Sequence, residues 1–409
     1  MPIISHENVD LFTYPDIDTE FPSDKETQLT LGDLHGNALK LIYFLIRQNV
    51  LEITKNDYAT LGAIYLKDPK ELTKKELDTF CDIVKEAKVN PVGTIRLIGD
   101  EVADRGSNDY LTLKVLEKLK LTDMSVEILL SNHGAEFITA YETKNNFTGF
   151  IMYDEFIQSM TGLKILLKRN LVTSREVDNL INDIYKPSLR ALSYTVNSDE
   201  NKITLYSHAL IGLRTIKDMA QKLLVKYKDK SIKNLADTIN NINSEFQAYI
   251  KDNRARIDLY HEEAIRKTNS SNHLSGAFEI TMWNRLVDWV KDDRPSCHND
   301  YAIDFVHGHD LNDKTQDNIY NLDNTFGKQG LIRKHSSDGK LFLEKQYIKS
   351  TYHLLFSHEI PAARFQSKKK PTKALCSEFS FLRKSPQPQI ITAALEEDLA
   401  NKVFEVSLK

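Results

Sequence analysis

The stretch Gln28-Leu29-Thr30-Leu31-Gly32-Asp33-Leu34-His35-Gly36-Asn37 begins as a short apolar strand and stops abruptly in a polar loop flanked by glycine. Leu39, Ile42, Tyr43 and Ile46 follow at i, i+3, i+4 and i+7. That is the spacing of an amphipathic helix, with Asn37 placed to cap its first turn. The same strand–loop–helix order returns at Thr94–Ile98 before Gly99-Asp100, and at Val126–Leu130 before Ser131-Asn132-His133. Strands at Ile203–Tyr206 and Tyr301–Val306 also run into loops that hold histidine. Strands alternating with helices, with polar residues gathered where strands end, predict an α/β sheet whose loops build a site.

Five polar clusters stand at those strand ends. They are Gly32-Asp33-Leu34-His35-Gly36-Asn37, Gly99-Asp100 with Asp104-Arg105-Gly106, Ser131-Asn132-His133, Ser207-His208 and Gly308-His309. Any one alone is an ordinary turn, a surface ion pair or a hydrogen-bonded buried histidine. Together they offer aspartate, asparagine and histidine without cysteine. Such oxygen and nitrogen donors suit hard or borderline divalent ions such as Mn, Fe or Zn. Asp33 and His35 are two apart, so at an extended strand end they face the same side. The donors suffice for two ions that share one aspartate.

In chain order, GDLHG, GDEVADRG, SNH and two separate histidines resemble the signature of the phosphoprotein phosphatase branch of the calcineurin-like metallophosphoesterases. That signature is GDxHG, GDxVDRG, GNH followed by an acid, and then two histidines. GDLHGNALKL and the run Leu322-Asp323-Asn324-Thr325-Phe326-Gly327-Lys328 are most similar to the Legionella Wip-type effector phosphatases. The resemblance spans about residues 29–330. It implies an α/β fold with a calcineurin-like β-sandwich core flanked by helices and carrying helical insertions.

By that resemblance Asp33 and His35 hold a first metal ion, Asp100 bridges two, and Asn132, His208 and His309 complete the second. His133 is the expected general acid and Asp104 the carboxylate that orients it. Arg105 is the expected phosphate-binding guanidinium, a group whose planar fork matches phosphate oxygens. Arg285, in Met282-Trp283-Asn284-Arg285, resembles the second phosphate-binding arginine of bacterial members. The implied cofactors are two divalent metal ions, Mn foremost, with Fe or Zn as alternatives. Two such ions, about 3.5–4 Å apart, make a bridging hydroxide available near neutral pH for direct attack on phosphorus. An imidazole then protonates the leaving oxygen.

The implied activity is hydrolysis of phosphate monoesters on phosphoproteins, at phosphoserine/threonine or phosphotyrosine. A nucleotide or dinucleoside polyphosphate hydrolase on the same core is one alternative. A non-catalytic, metal-bound module that recruits a partner is another. The chain departs from the family pattern twice: the loop from Asp100 to Asp104 is one residue longer, and Gly134 stands where the family has an acid.

The whole chain has 409 residues, 41% hydrophobic and 27% charged, which excludes disorder throughout and a collagen-like repeat. With 54 Lys+Arg against 58 Asp+Glu, it has no overall attraction for nucleic acid or an anionic membrane. Cys81, Cys297 and Cys376 are too few for a disulfide framework or a thiolate zinc site. No apolar run approaches the roughly 20 residues of a membrane span, and the first residues lack the pattern of a Sec-type signal peptide. The expectation is a soluble protein with a phosphoprotein substrate, no nucleic-acid partner and no transmembrane segment. Likeness to effectors implies secretion into a host cell, with a host protein as substrate.

Residues 1–28 are expected to form an N-terminal arm and 29–350 the catalytic domain, with helical insertions at about 53–92 and 214–280. The role of 351–409 is unassigned. In the second insertion Ile216, Met219, Ala220, Leu223, Leu224 and Tyr227 make one apolar stripe, and Leu235, Ile239, Ile242, Phe246 and Tyr249 another. His307 is expected to support the site or the core, and Ser357-His358 to be structural. Lys368–Lys370 reads as a solvated charge run.

Overall fold

A computed structural model describes residues 3–18, 25–122, 124–144, 147–149, 156–260, 276–285, 292–310 and 318–323, with strands at 334–335, 341–342 and 349–357. All of these lie within Met1–Lys368. His358 and Lys368–Lys370 fall outside the described residues.

In chain order the strands of two main sheets are β1 (Ile3–Asp10), β2 (Gln28–Leu31), β3 (Thr94–Leu97), β4 (Ser125–Leu129), β5 (Leu189–Arg190), β6 (Ser193–Asn197), β7 (Lys202–Tyr206), β8 (Tyr301–His307), β9 (Ile319–Asn321) and β10 (Lys349–Ser357). The first sheet runs β1-β10-β2-β3-β4-β5. Strands β2 to β5 are parallel, and β10 is antiparallel to both its neighbours. The second sheet runs from Cys297–His298 through β8 and β7 to β6, and β9 joins it parallel to β8. The stretch expected as an arm thus carries β1, whose partner β10 straddles position 350 and pairs Ile3 with Phe356 and Asp10 with Lys349.

Register is what places the polar loops. Leu31 lies opposite Leu97, and Leu97 opposite Ile128, so β2, β3 and β4 end together. Val306 lies opposite Tyr206 and His307 opposite Asn321, so β7, β8 and β9 also end together. The two sets of ends meet over a small apolar cluster of Ile98, Leu129, Tyr206, Val306 and Leu322. Deeper between the sheets, buried Arg96 of β3 donates to Ser193 at 2.7 Å, Glu127 at 3.1 Å, Thr30 at 3.1 Å and Gln28 at 3.1 Å.

The helices are α1 (Ala38–Arg47), α2 (Lys55–Leu66), α3 (Lys74–Glu86), α4 (Asp109–Lys120), α5 (Asn132–Glu142), α6 (Gln158–Lys168), α7 (Leu213–Lys222), α8 (Ile232–Lys251) and α9 (Ala277–Trp283), besides shorter turns. Asn37 caps α1, its side chain accepting from the Lys40 amide at 3.0 Å. Such a cap is worth about 1 kcal/mol. The helix is less amphipathic than its spacing implies, because every residue from Ala38 to Ile46 is buried. Buried Lys40 is accommodated by donating its ammonium to the Asp33 carbonyl at 2.5 Å.

Helices α2 and α3 fill the first insertion, and α7, α8 and α9 much of the second. Ile216, Met219, Ala220 and Leu223 are buried, as are Leu235, Ile239, Ile242 and Phe246. Leu224 departs from its stripe and is 95% exposed. Helix α7 ends at Lys222, and Leu224 takes a φ of 57°, which swings it off the apolar face. Among the described residues no helix is long and apolar enough to cross a membrane.

Candidate active site

Each polar loop leaves a strand end and turns at once. His35, Asp100 and His309 adopt φ of 57°, 55° and 54°, a left-handed conformation uncommon outside glycine. Three expected metal ligands therefore share a strained backbone, a feature that concentrates at functional sites. Gly308 is required by proximity: a Cβ there would lie 1.8 Å from Asp33 Oδ1. The same approach lets the His309 amide donate to Asp33 Oδ2 at 3.0 Å, tying β8 to β2.

The expected ligands converge and are buried. Asp100, His208 and His309 bring ligand atoms within 4.8 Å of one another, and Asp33, His35 and Asp323 do the same. A third such group joins His35, Asp100 and Asp104, so Asp100 lies within reach of both sets. Buried Asp100 Oδ1 has no hydrogen-bond partner. Asn132, at the start of α5, places Oδ1 2.8 Å from His208 Nε2. His208 Nδ1 lies 3.2 Å from the Ile98 carbonyl. With the ring proton donated there, Nε2 and the Asn132 oxygen direct lone pairs into the same space, a conflict that a cation resolves. Burial pushes the His208 pKa down, against the pull of Asp100 and Asp323, which favours the neutral ring a metal needs.

Asp323 is a member of this group that the sequence motifs did not single out as a ligand. It stands two residues beyond β9, and its Oδ1 is 3.5 Å from His35 Nε2. The available signal was its place after a strand parallel to β8, the same strand-end position the other ligands occupy.

The Asp104 carboxylate reaches His35 and Arg105 as well as His133. Its Oδ2 accepts from His35 Nδ1 at 3.0 Å, and its Oδ1 accepts from the Arg105 amide at 2.8 Å and guanidinium at 2.9 Å. Its approach to His133 is looser, 3.6 Å to Nε2. The His133 ring is held from its other nitrogen, Nδ1 donating to the Ala103 carbonyl at 2.5 Å. Ala103 is one of the three residues between Asp100 and Asp104, a loop one longer than the family's, and its φ is 51°. Burial works against charge on Asp104, but His133, His35 and Arg105 outweigh it and hold the carboxyl well below its usual range.

Arg105 is partly exposed and lies against Phe156, 5.0 Å from the ring centroid. Arg285 is exposed just past α9, whose Trp283 packs edge-on against His309 at 5.7 Å between ring centroids. His307 is buried, donates Nδ1–H to the Gly308 carbonyl at 2.8 Å and is pushed down by burial to about 4.

The acid absent at position 134 has a local counterpart. A Cβ on Gly134 would meet the Tyr185 hydroxyl at 3.0 Å, Ser131 Oγ at 3.1 Å and Glu101 Oε1 at 3.4 Å. Glu101, from the lengthened loop, therefore occupies the space a side chain there would need. It accepts the Tyr185 hydroxyl hydrogen bond, and burial pushes it up to about 8.

Buried oxygen and nitrogen donors beside an arginine that still reaches solvent suit the handling of a phosphate ester, and the class of protein they define is a phosphatase. Residues 94–328 match the family described as WipA-like, phosphatase domain, and the chain belongs to that family. The crystal structure of the phosphatase domain from the Legionella effector WipB is similar over 71% of this chain and 100% of that one, at 30% identity and a TM-score of 0.63. No curated protein matches the chain. The first motif, residues 32–37, precedes the family match and joins the site through the pairing of β2 with β3.

Proposed function

We propose that this chain is a dinuclear-metal phosphomonoesterase that acts as a protein phosphatase on a calcineurin-like sandwich core. The observation that carries this reading is the placement of Asp100, which belongs to two groups of buried donors and has an oxygen that makes no hydrogen bond. Asp33, His35 and Asp323 would hold one ion, and Asn132, His208 and His309 the other, with Asp100 between. When bound, two divalent cations, Mn foremost, supply a nucleophile at neutral pH and offset phosphoryl charge.

The chain's own residues do the rest. Asp104 fixes the His35 ring through Nδ1, leaving Nε2 toward Asp33 and Asp323. Arg105, steadied by Asp104, turns its remaining N–H donors to phosphate oxygens. Arg285 is a second candidate for that contact from the rim past α9. His133, anchored at Nδ1, delivers a proton from Nε2 to the leaving oxygen. Kinship with an effector domain supports delivery to a host cell and a host phosphoprotein as substrate.

The test is phosphate release from matched phosphoserine, phosphothreonine and phosphotyrosine peptides and a dinucleoside polyphosphate, with Mn²⁺ and with chelator. Metal-dependent release from peptides is expected. Release from the nucleotide alone would replace this reading with a nucleotide hydrolase. Bound metal without turnover on any substrate would replace it with a recruiting module.

A further inference from the structure

Asp109 is buried at the first position of α4, yet its carboxyl does not serve its own helix. Asn108 caps that helix by accepting from the Leu111 amide. Both Asp109 oxygens lie 3.1 Å from the amide of Ala103, six residues back. Ser159, near the start of α6, links the same elements. Its hydroxyl bonds Asp109, its Oγ accepts from the Asp104 amide at 2.9 Å, and its own amide donates to the Asp104 carbonyl at 2.8 Å. Ala103 is thus gripped at its amide, and the next residue at both backbone groups. An alanine at φ 51° persists only where its surroundings impose that conformation. The result of the grip is the direction of the Ala103 carbonyl, which receives His133 Nδ1–H.

We infer that Asp109 is a positioning residue for phosphoryl transfer: it holds Ala103 in its left-handed turn and so aims the carbonyl that orients His133. The inference rests on the general-acid reading of His133. It gives the additional loop residue a purpose, since the backbone at Ala103 anchors His133 at Nδ1 while Asp104, bonded to His35 and Arg105, stays 3.6 Å from Nε2. Asp109 touches no reacting atom. Its effect reaches the chemistry through the proton that His133 delivers, so it depends on how badly the leaving group needs one.

The experiment measures kcat and KM of the Mn²⁺-loaded 409-residue chain on aryl phosphates of graded leaving-group basicity. His133→Asn, Asp109→Ala, Asp109→Asn, Ser159→Ala and the Asp109→Ala/His133→Asn double variant are compared with the parent. Asp109→Ala is expected to lower kcat by about tenfold to a hundredfold for the most basic leaving groups, less than the roughly hundredfold to ten-thousandfold that losing a general acid itself costs. The loss should shrink for good leaving groups, with KM little changed. Asp109→Asn, which keeps an oxygen for the Ala103 amide, should recover most of the rate. The double variant should be no slower than His133→Asn. Ser159→Ala should show the same dependence at smaller size, and it carries the test if Asp109→Ala does not fold. Losses from Asp109→Ala or Ser159→Ala that ignore leaving-group basicity, or that add to the loss from His133→Asn, would overturn the positioning role. If His133→Asn itself shows no such dependence, the general-acid reading fails first, and the inference about Asp109 falls with it.

Discussion

The Arg96 guanidinium lies over the ring of Tyr206, 4.1 Å from its centroid, so a charge from the first sheet rests on an aromatic face of the second. Four other side chains hold the same guanidinium: Glu127, Ser193, Thr30 and Gln28. Arg96→Ala leaves their polar atoms without it, and is expected to cost about 3–5 kcal/mol of stability, the usual result of removing one member of a buried charged network. Arg96→Lys should recover only part, since an ammonium lacks the fork that reaches several acceptors. Denaturant midpoints measure both, and a cost for the alanine variant within 1 kcal/mol would mean the sheets do not depend on this contact.

Asp100→Asn should lower bound metal by at least one ion per chain and abolish phosphate release, because Asp100 shares one group of donors with His208 and His309 and another with His35. Metal content by elemental analysis and turnover with Mn²⁺ are the paired readouts. Full metal content would remove Asp100 from the bridging position.

Asp323→Asn should weaken binding of the ion near His35 while sparing the other, giving a two-phase metal titration in place of one. Titration of the metal-free protein with Mn²⁺ reads this directly. Unchanged affinity at both sites would return Asp323 to a purely structural part.

Gly308→Ala should be far more damaging than a methyl group suggests, since its Cβ would stand 1.8 Å from Asp33 Oδ1 and 2.9 Å from Ile98. Either Asp33 or the His309 loop must move. The expected outcome is loss of metal together with destabilisation of about 1–3 kcal/mol, as for overpacked sites. Thermal melts with and without Mn²⁺ separate the two, and a variant that keeps parental metal affinity would show the loop gives way harmlessly.

Burial pushes the Asp109 carboxyl up to about 7, with Asp104 adding to the rise, while Ser159, the Ala103 amide and His133 oppose it. Between its ordinary value near 4 and about 7, the folded protein holds a proton that the unfolded chain has lost. Stability from this group therefore falls as pH rises through that window, by at most about 1.4 kcal/mol per unit. Asp109→Asn does not titrate, so the stability of the parent relative to the variant should decline from pH 4 to pH 7 and level off above. Urea unfolding at four pH values measures the difference, and a flat line would rule out the raised pKa.

Much of the site could be read from the chain because its donors sit at strand ends, and a parallel register carries those ends to one edge. Asp33, Asp100 and Asn132 follow β2, β3 and β4 in this way, and His208 and His309 follow β7 and β8. Asp323 obeys the same rule, but its strand has only three residues and gives little periodicity to notice. The relation of Glu101 to Gly134 was hidden for a different reason. It depends on how two loops fold toward each other, with Tyr185 between them, and no spacing within one segment encodes that. The surroundings of Asp104 also depend on one added residue, Ala103, whose left-handed turn presents a carbonyl to His133 Nδ1 while the carboxylate reaches His35 and, at 3.6 Å, His133 Nε2. The pairing of β1 with β10 joins segments more than three hundred positions apart, where local pattern is silent.

The hydrogen bond from the His309 amide to Asp33 spans 276 positions of the chain. Helices such as α8 can form from neighbours, whereas this contact must wait until nearly all the intervening polypeptide has found its place. Closing so long a loop is entropically costly, and topologies built on such contacts fold slowly. The reactive centre is therefore among the last things this protein assembles. A half-made or half-refolded chain would display much native helix and no chemistry, so the appearance of activity marks the end of folding and not its beginning.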